Sequence, residues 1–169
     1  MNHLDANEIL NDKQHGFRAK RSCETQLILT LDDFASAIDK RLQTDIAIVD
    51  FTNAFDSVAH QCLFVKLRYY GLNGMILNWI KAFLSNRTQR VTLEGSLSSP
   101  ASVTSGVPQG TVLGPLLFLL FINDLPSTVN STTRLFADDR LMYRTIKSPE
   151  DQELFARDLE ALSKWQDVW

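Results

Sequence analysis

Two short apolar runs that end on carboxylates constrain this chain more than any other feature. Residues 134–140 read Arg-Leu-Phe-Ala-Asp-Asp-Arg, and Ile46-Ala47-Ile48-Val49-Asp50-Phe51 closes a second run on a third carboxylate. A strand alternates its side chains between two faces, so adjacent Asp residues share a site only where the chain turns. A tight hairpin at Asp138-Asp139 allows this, and the apolar Leu141-Met142-Tyr143 run supplies the returning strand. Placing Asp50 beside that hairpin would force like charges together in a half-buried cleft, which is unfavourable unless cations neutralise them. Hard divalent cations of the magnesium type prefer carboxylate oxygens. A pair of them can activate one oxygen while stabilising another in phosphoryl transfer. An isolated Asp-Asp is a weak sign; the strands leading into these carboxylates give it weight.

A chain of 169 residues with 44% hydrophobic residues is long and apolar enough for one packed domain, or for a large piece of a bigger one. Its charge is acidic, with 17 Lys and Arg against 20 Asp and Glu for a net of -3. A nucleic-acid binder usually carries a basic excess, so the backbone-binding surface is expected elsewhere. Cys23 and Cys62 have no metal-ligand spacing and read as buried or half-buried thiols of a reducing compartment. The first residues are polar and carry no secretory signal, which points to an intracellular protein of nucleus or cytoplasm. The longest apolar run, Leu116 to Ile122, is too short to cross a bilayer and reads as a buried helix.

The periodicity predicts a loop over residues 1–21, then a helix N-capped by Ser22. Leu27, Leu31, Phe34, Ala35, Ile38 and Leu42 form its apolar stripe to about Arg41. Asp45–Phe51 reads as a buried strand. Helices follow from Ser57 to Gly71 and from Gly74 through Leu84. Gln89–Leu93 and Ser102–Val107 form a hairpin around Glu94-Gly95 with a long Ser-rich connection. Gly106–Gly110 is a constrained loop, followed by the apolar helix with Pro115 in its first turn. Arg134–Asp139 and Leu141–Ile146 are strands joined at the paired Asp. Ser148-Pro149-Glu150-Asp151 starts a last helix carrying Leu154, Phe155, Leu159, Leu162 and Trp165. Helices and strands mix without strict alternation, so the expected class is α+β.

Four segments carry a resemblance. Val49-Asp50-Phe51-Thr52-Asn53-Ala54-Phe55-Asp56 resembles the first catalytic motif of reverse transcriptases of non-LTR (LINE-type, jockey/CR1-like) retrotransposons. Ser105-Gly106-Val107-Pro108-Gln109-Gly110-Thr111-Val112-Leu113-Gly114-Pro115 is similar to that family's second palm motif almost letter for letter. Phe136-Ala137-Asp138-Asp139 resembles its metal-binding hairpin, and Gly16-Phe17-Arg18-Ala19-Lys20-Arg21-Ser22 its upstream Gly-Phe-Arg-x-x-Arg-Ser segment. The four stand in the family's order.

The resemblance implies a polymerase palm, an antiparallel sheet packed on helices, with part of the fingers, so that residues 1–169 form a partial reverse transcriptase domain. Asp50, Asp138 and Asp139 would be catalytic. With the Phe51 backbone carbonyl they would ligate two Mg2+ ions, for which Mn2+ could substitute. Phe55 would lie under the sugar of the incoming dNTP and exclude a 2′-hydroxyl, against the plainer reading that it packs in the core. Pro108, Gln109 and Gly110 would line the nucleotide pocket. Arg18 and Arg21 would contact the template backbone, or form an ordinary solvated loop. The implied partners are an RNA template, a DNA primer, dNTPs and an endonuclease domain of the same element, with no membrane.

Asp56 reads instead as a cap or ion-pair partner, His60 as surface or packing, and Trp165 and Trp169 as core. Arg140 departs from the family, which commonly has Thr there; a cation beside the carboxylates would pair with one and compete with metal, or swing to solvent. The triphosphate-clamping fingers segment would precede residue 1. The Lys-bearing palm motif and the thumb would follow Trp169. Against an active polymerase stands the alternative of an inactive fragment of a decayed element.

Overall fold

The computed structural model describes residues 2–169. The chain divides into two compact units, one of Met1–Thr52 with Ile122–Trp169 and one of Asn53–Phe121.

In the first unit a short helix α1 (Asn2–Ala6) precedes a looped segment and α2 (Cys23–Asp39). Ser22 caps α2 through a capping box: its hydroxyl accepts from the Thr25 N–H while the Thr25 hydroxyl accepts from the Ser22 N–H. Next come β1 (Gln43–Val49) and, after the second unit's segment in the sequence, β6 (Thr132–Phe136), β7 (Asp139–Ile146) and α7 (Pro149–Val168). The three strands form an antiparallel sheet in the order β1-β7-β6. The β1 ladder runs from Gln43↔Ile146 to Val49↔Arg140, so one face carries Ile46, Ile48, Leu141 and Tyr143 and the other Ala47, Val49, Arg140 and Met142.

Helix α2 lies against the first face. Phe34 meets Tyr143 edge-on at 5.0 Å, and Asp33 accepts from Arg134 Nη2 (2.6 Å) and from the Tyr143 hydroxyl. Burial pushes the Asp33 carboxyl up, but the hydrogen bonds from Tyr143 and Arg134 outweigh it and hold it below the usual range. Helix α7 covers the opposite face, where Asp151 pairs with Arg144 at 3.0 Å. The buried Asp158 carboxylate accepts from the backbone N–H groups of Asn130 and Ser131, fixing the approach to β6.

Three expectations need correction here. The strand β1 is not buried: it is a sheet edge, and Ile48 is 83% exposed. Its β-branched run encodes strand, but does not encode what covers its faces. In α2 the predicted stripe has the right period and the wrong phase, since Leu27, Leu31 and Ile38 are exposed while Thr30 and Ala37 are buried. Polar anchoring through Asp33 decides which face meets the sheet. Cys23 is exposed rather than buried.

In the second unit, α3 (Ala54–Ser57) leads into α4 (His60–Tyr69) and α5 (Gly74–Leu84). Of the apolar positions that recur at helical spacing there, Leu63, Leu67, Leu77, Ile80 and Leu84 are buried, Tyr70 and Phe83 are half-buried, and Ile76 is exposed. The expected hairpin is two nested strand pairs. An outer pair joins β2 (Arg87–Gln89) to β5 (Ala101–Val103), and an inner pair joins β3 (Thr92–Leu93) to β4 (Ser96–Leu97) around Glu94-Gly95. Helix α6 (Leu113–Ile122) is apolar all round, with residues 117–122 buried. The buried Lys66 donates to the Phe121 carbonyl at 2.7 Å, satisfying a carbonyl near the end of α6.

Candidate active site

The carboxylate-bearing hairpin forms, one residue earlier than expected. Phe136 pairs with Asp139, leaving Ala137 and Asp138 as a two-residue turn, with Ala137 at φ 55°. Positive φ in the first loop residue suits the right-handed twist of the flanking strands, although Gly, Asn or Asp are the usual occupants. Asp138 therefore stands at the tip and Asp139 opens the ladder of β7. Asp50 follows Val49, whose ladder partner is Arg140, so Asp50 and Asp139 adjoin the same end of the sheet.

Arg140 takes neither expected course. Strand alternation puts it on the face opposite Asp139, and it is 2% exposed. Its guanidinium lies 5.1 Å from the centre of the Phe51 ring, which in turn tilts against Trp165 at 6.2 Å. Its Nε and Nη1 have no hydrogen-bond partner among the described residues. Burial pulls its pKa down to about 10. The stack gives Phe51 a fixed place, and with it the backbone immediately after Asp50. Trp165 is buried core, as expected, and Trp169 is half-buried.

Arg18 and Arg21 are engaged within their own loop. Arg18 Nη1 donates to the Leu10 and Asn11 carbonyls at 3.1 and 2.9 Å, and Arg21 Nη2 pairs with Asp12 at 2.7 Å. Asn123 fixes the same loop by donating to the Ile9 carbonyl and accepting from the Asn11 N–H. His15, buried beside Thr25, is held below the ordinary imidazole pKa by burial and by the nearby Arg21, Arg134 and Arg18.

The nucleotide-pocket candidates lie in the second unit. The loop after β5 is laid directly on the turn that follows Phe55. Gly106 N–H donates to the Val58 carbonyl and Val107 N–H to the Phe55 carbonyl, both at 2.8 Å. A Cβ on Gly106 would stand 2.8 Å from the Asp56 Cα, and its φ is +82°, so glycine is required twice over. Ser105 Oγ donates to the Asp56 carbonyl, and Gln109 Nε2 reaches the Asp56 carboxylate at 3.4 Å. Asp56 is thus a loop contact rather than an ion-pair partner. His60 is not mere packing: its Nε2 meets the Gly106 carbonyl at 2.8 Å. Phe55 is half-buried and stacks on Phe118 at 4.3 Å, with 20° between the rings. Pro108 is half-buried, while Gln109 and Gly110 are exposed.

The donor chemistry at the sheet end suits a hard divalent cation. Asp50, Asp138 and Asp139 offer only oxygens, and among the described residues none forms an ion pair with a Lys, Arg or His. As they stand, no three acidic, His or Cys side chains among the described residues converge closely enough to hold an ion. Carboxylates without a counter-charge repel, which favours such separation.

Comparison with known proteins agrees with these motifs. The family model for reverse transcriptase (RNA-dependent DNA polymerase) matches residues 1–169. The chain is 32% identical over 147 residues to a probable RNA-directed DNA polymerase from transposon X-element of Drosophila melanogaster, covering 80% of this chain and 15% of that protein. It is 36% identical over 124 residues to the counterpart from transposon BS of the same species, covering 70% and 13%. To the RNA-directed DNA polymerase from mobile element jockey of Drosophila funebris it is 30% identical over 166 residues, covering 92% and 18%. The chain spans less than a fifth of the length of these three relatives. Reverse transcriptases as a family depend on divalent metal ions. Among the described residues no helix is long and apolar enough to cross a membrane. With its motifs in order and matched along its whole length, this chain belongs to the reverse transcriptase family.

Proposed function

We propose that this chain is the catalytic palm, with part of the fingers, of an RNA-directed DNA polymerase that adds dNTPs to a DNA primer on an RNA template during retrotransposition. The supporting observation is that Asp50, Asp139 and the hairpin tip at Asp138 share one end of the sheet, with no Lys, Arg or His ion-paired to them among the described residues. Asp50, Asp138 and Asp139, with the Phe51 carbonyl, would hold the Mg2+ pair. When bound, such ions lower the pKa of a primer 3′-hydroxyl and neutralise charge on the triphosphate and departing pyrophosphate. The remaining residues position. Phe51, held by Arg140 and Trp165, fixes the backbone after Asp50. Phe55, stacked on Phe118, would exclude a 2′-hydroxyl of the incoming nucleotide. Gln109 and Gly110 are exposed on a loop that Ser105, Gly106 and His60 hold in place. The partners of this reading are RNA, DNA primer and dNTPs, with an endonuclease domain of the same element and an intracellular site of action.

One observation favours a second reading, an inactive descendant of such an element. Arg140 buries guanidinium nitrogens without partners one residue beyond Asp139, a costly arrangement that selection for an efficient palm would be expected to remove. Magnesium-dependent extension of a DNA primer on an RNA template separates the two. Extension by the chain that vanishes in Asp138→Asn supports the polymerase; no extension by either protein supports the inactive descendant.

A further inference from the structure

Gln14, which no motif role has absorbed, is 3% exposed and lies against the carboxylate hairpin. Around it the chain runs beside the edge strand β6: the Leu135 N–H donates to the Lys13 carbonyl at 2.9 Å and the His15 N–H to the Leu135 carbonyl at 2.8 Å. The Gln14 amide then reaches past the end of that strand to the turn. Its Oε1 accepts from the Ala137 N–H (2.9 Å) and the Gly16 N–H (2.7 Å), and its Nε2 donates to the Ala137 carbonyl (3.1 Å). Gly16 makes this reach possible, because a Cβ there would stand 2.3 Å from the Ala137 nitrogen. Ala137 is the residue at φ 55°, an uncommon region for a residue with a Cβ, and its carbonyl carbon is bonded to the nitrogen of Asp138.

We propose that Gln14 is a positioning residue: its side-chain amide clamps both polar groups of Ala137 and so aims the Asp138 carboxylate. This rests on the reading that Asp138 and Asp139 hold a divalent cation. A buried primary amide suits the task because it offers a donor and an acceptor in one plane. No other side chain among the described residues bonds the Ala137 backbone. The upstream segment is thereby tied to the hairpin across 123 positions of sequence.

The test compares wild type with Gln14→Met, which keeps the length and removes both functions, and Gln14→Glu, which keeps the acceptor and loses the donor. Amide hydrogen exchange reads the clamp directly, and Mn2+ titration reads its consequence. Gln14→Met should speed exchange at Ala137 while the β1–β7 ladder amides stay protected. It should also weaken Mn2+ binding by about tenfold, the usual size of an outer-shell effect. Gln14→Glu should fall between, and it carries the test if Gln14→Met does not fold. Leu162→Val, in α7 and remote from the turn in sequence, serves as a control for general destabilisation and should leave Mn2+ affinity unchanged. If Asp138→Asn weakens Mn2+ binding while Gln14→Met alters neither readout, the clamp is refuted. It is refuted equally if Leu162→Val weakens Mn2+ binding as much as Gln14→Met does. If wild type binds no Mn2+, or Asp138→Asn binds it unchanged, the carboxylate reading has failed and exchange at Ala137 alone decides the clamp.

Discussion

Arg140→Met should make this protein more stable, which is the reverse of what truncating a buried side chain usually does. The position is 2% exposed, and two guanidinium nitrogens have no acceptor among the described residues. Leaving a buried polar group unsatisfied costs about 1–3 kcal/mol, more when the group is charged. The Phe51 ring at 5.1 Å gives some of this back, roughly 0.5–2 kcal/mol for a cation on an aromatic face. Methionine retains the long unbranched stem and fills the space with an adaptable apolar group. Replacing buried ionic groups by apolar residues of similar volume often stabilises by roughly 1–4 kcal/mol, and the balance here comes to about 2 kcal/mol. For a chain of this size that corresponds to a rise in Tm of about 4–8 °C. Urea unfolding followed by tryptophan fluorescence, with m unchanged, would measure it. A loss of about 1 kcal/mol or more would refute the reasoning, because it would mean that the guanidinium is well compensated. Arg140 lies on the face opposite Asp139, so Arg140→Thr should not relieve any ion pair with the carboxylates; any change in Mn2+ affinity would come through the loosened Phe51 ring and should weaken binding rather than tighten it.

Gly106→Ala should destabilise by about 3 kcal/mol or more, combining a 2.8 Å clash against the Asp56 backbone with a residue held at φ +82°; thermal unfolding measures it, and a shift near zero would mean that the loop is not pressed on the turn. His15 gives the fold an acid-labile component. Its folded pKa is below the ordinary imidazole value of 6.5, so between the two values the unfolded chain holds the extra proton, and stability falls as pH drops through 6.5. Tm should therefore decline more between about pH 7.5 and pH 5 in wild type than in His15→Gln; equal slopes would remove the assignment. Phe55→Ala should relax discrimination against ribonucleotides in primer extension, whereas unchanged sugar selectivity would leave Phe55 as a packing partner of Phe118 alone.

Much of the fold was legible because the strongest signals were local. Ser22 and Ser148 mark helix starts, Gly74 begins α5, and the apolar run of α6 has no plausible place but a core. Where local pattern had to stand in for tertiary context, it misled. The stripe Leu27, Leu31 and Ile38 has helical period, but Asp33, caught by Arg134 and Tyr143, selects the face that meets the sheet. The run of β1 signals a strand without revealing that it lies at an edge. The five-residue helix α1 is too short for any periodicity to show. At the site, the hairpin was readable from its Asp pair, while the turn falls one residue earlier because Ala137 accepts a positive φ under the hold of Gln14. Gln14 and His60 gave no signal of their own: the backbone groups of Ala137 and Gly106 that they hold are 123 and 46 positions away. Spacing in sequence does not encode such contacts.

The central claim is that Asp50, Asp138 and Asp139 form one divalent-ion site at the end of the sheet. Titrating the chain with Mn2+, followed by electron paramagnetic resonance, tests it most directly. The account predicts saturable binding that competes with Mg2+ and weakens by about tenfold or more in each of Asp50→Asn, Asp138→Asn and Asp139→Asn, with the variants still folded. Binding that all three variants retain at full affinity, or no saturable binding by the folded wild type, would contradict it.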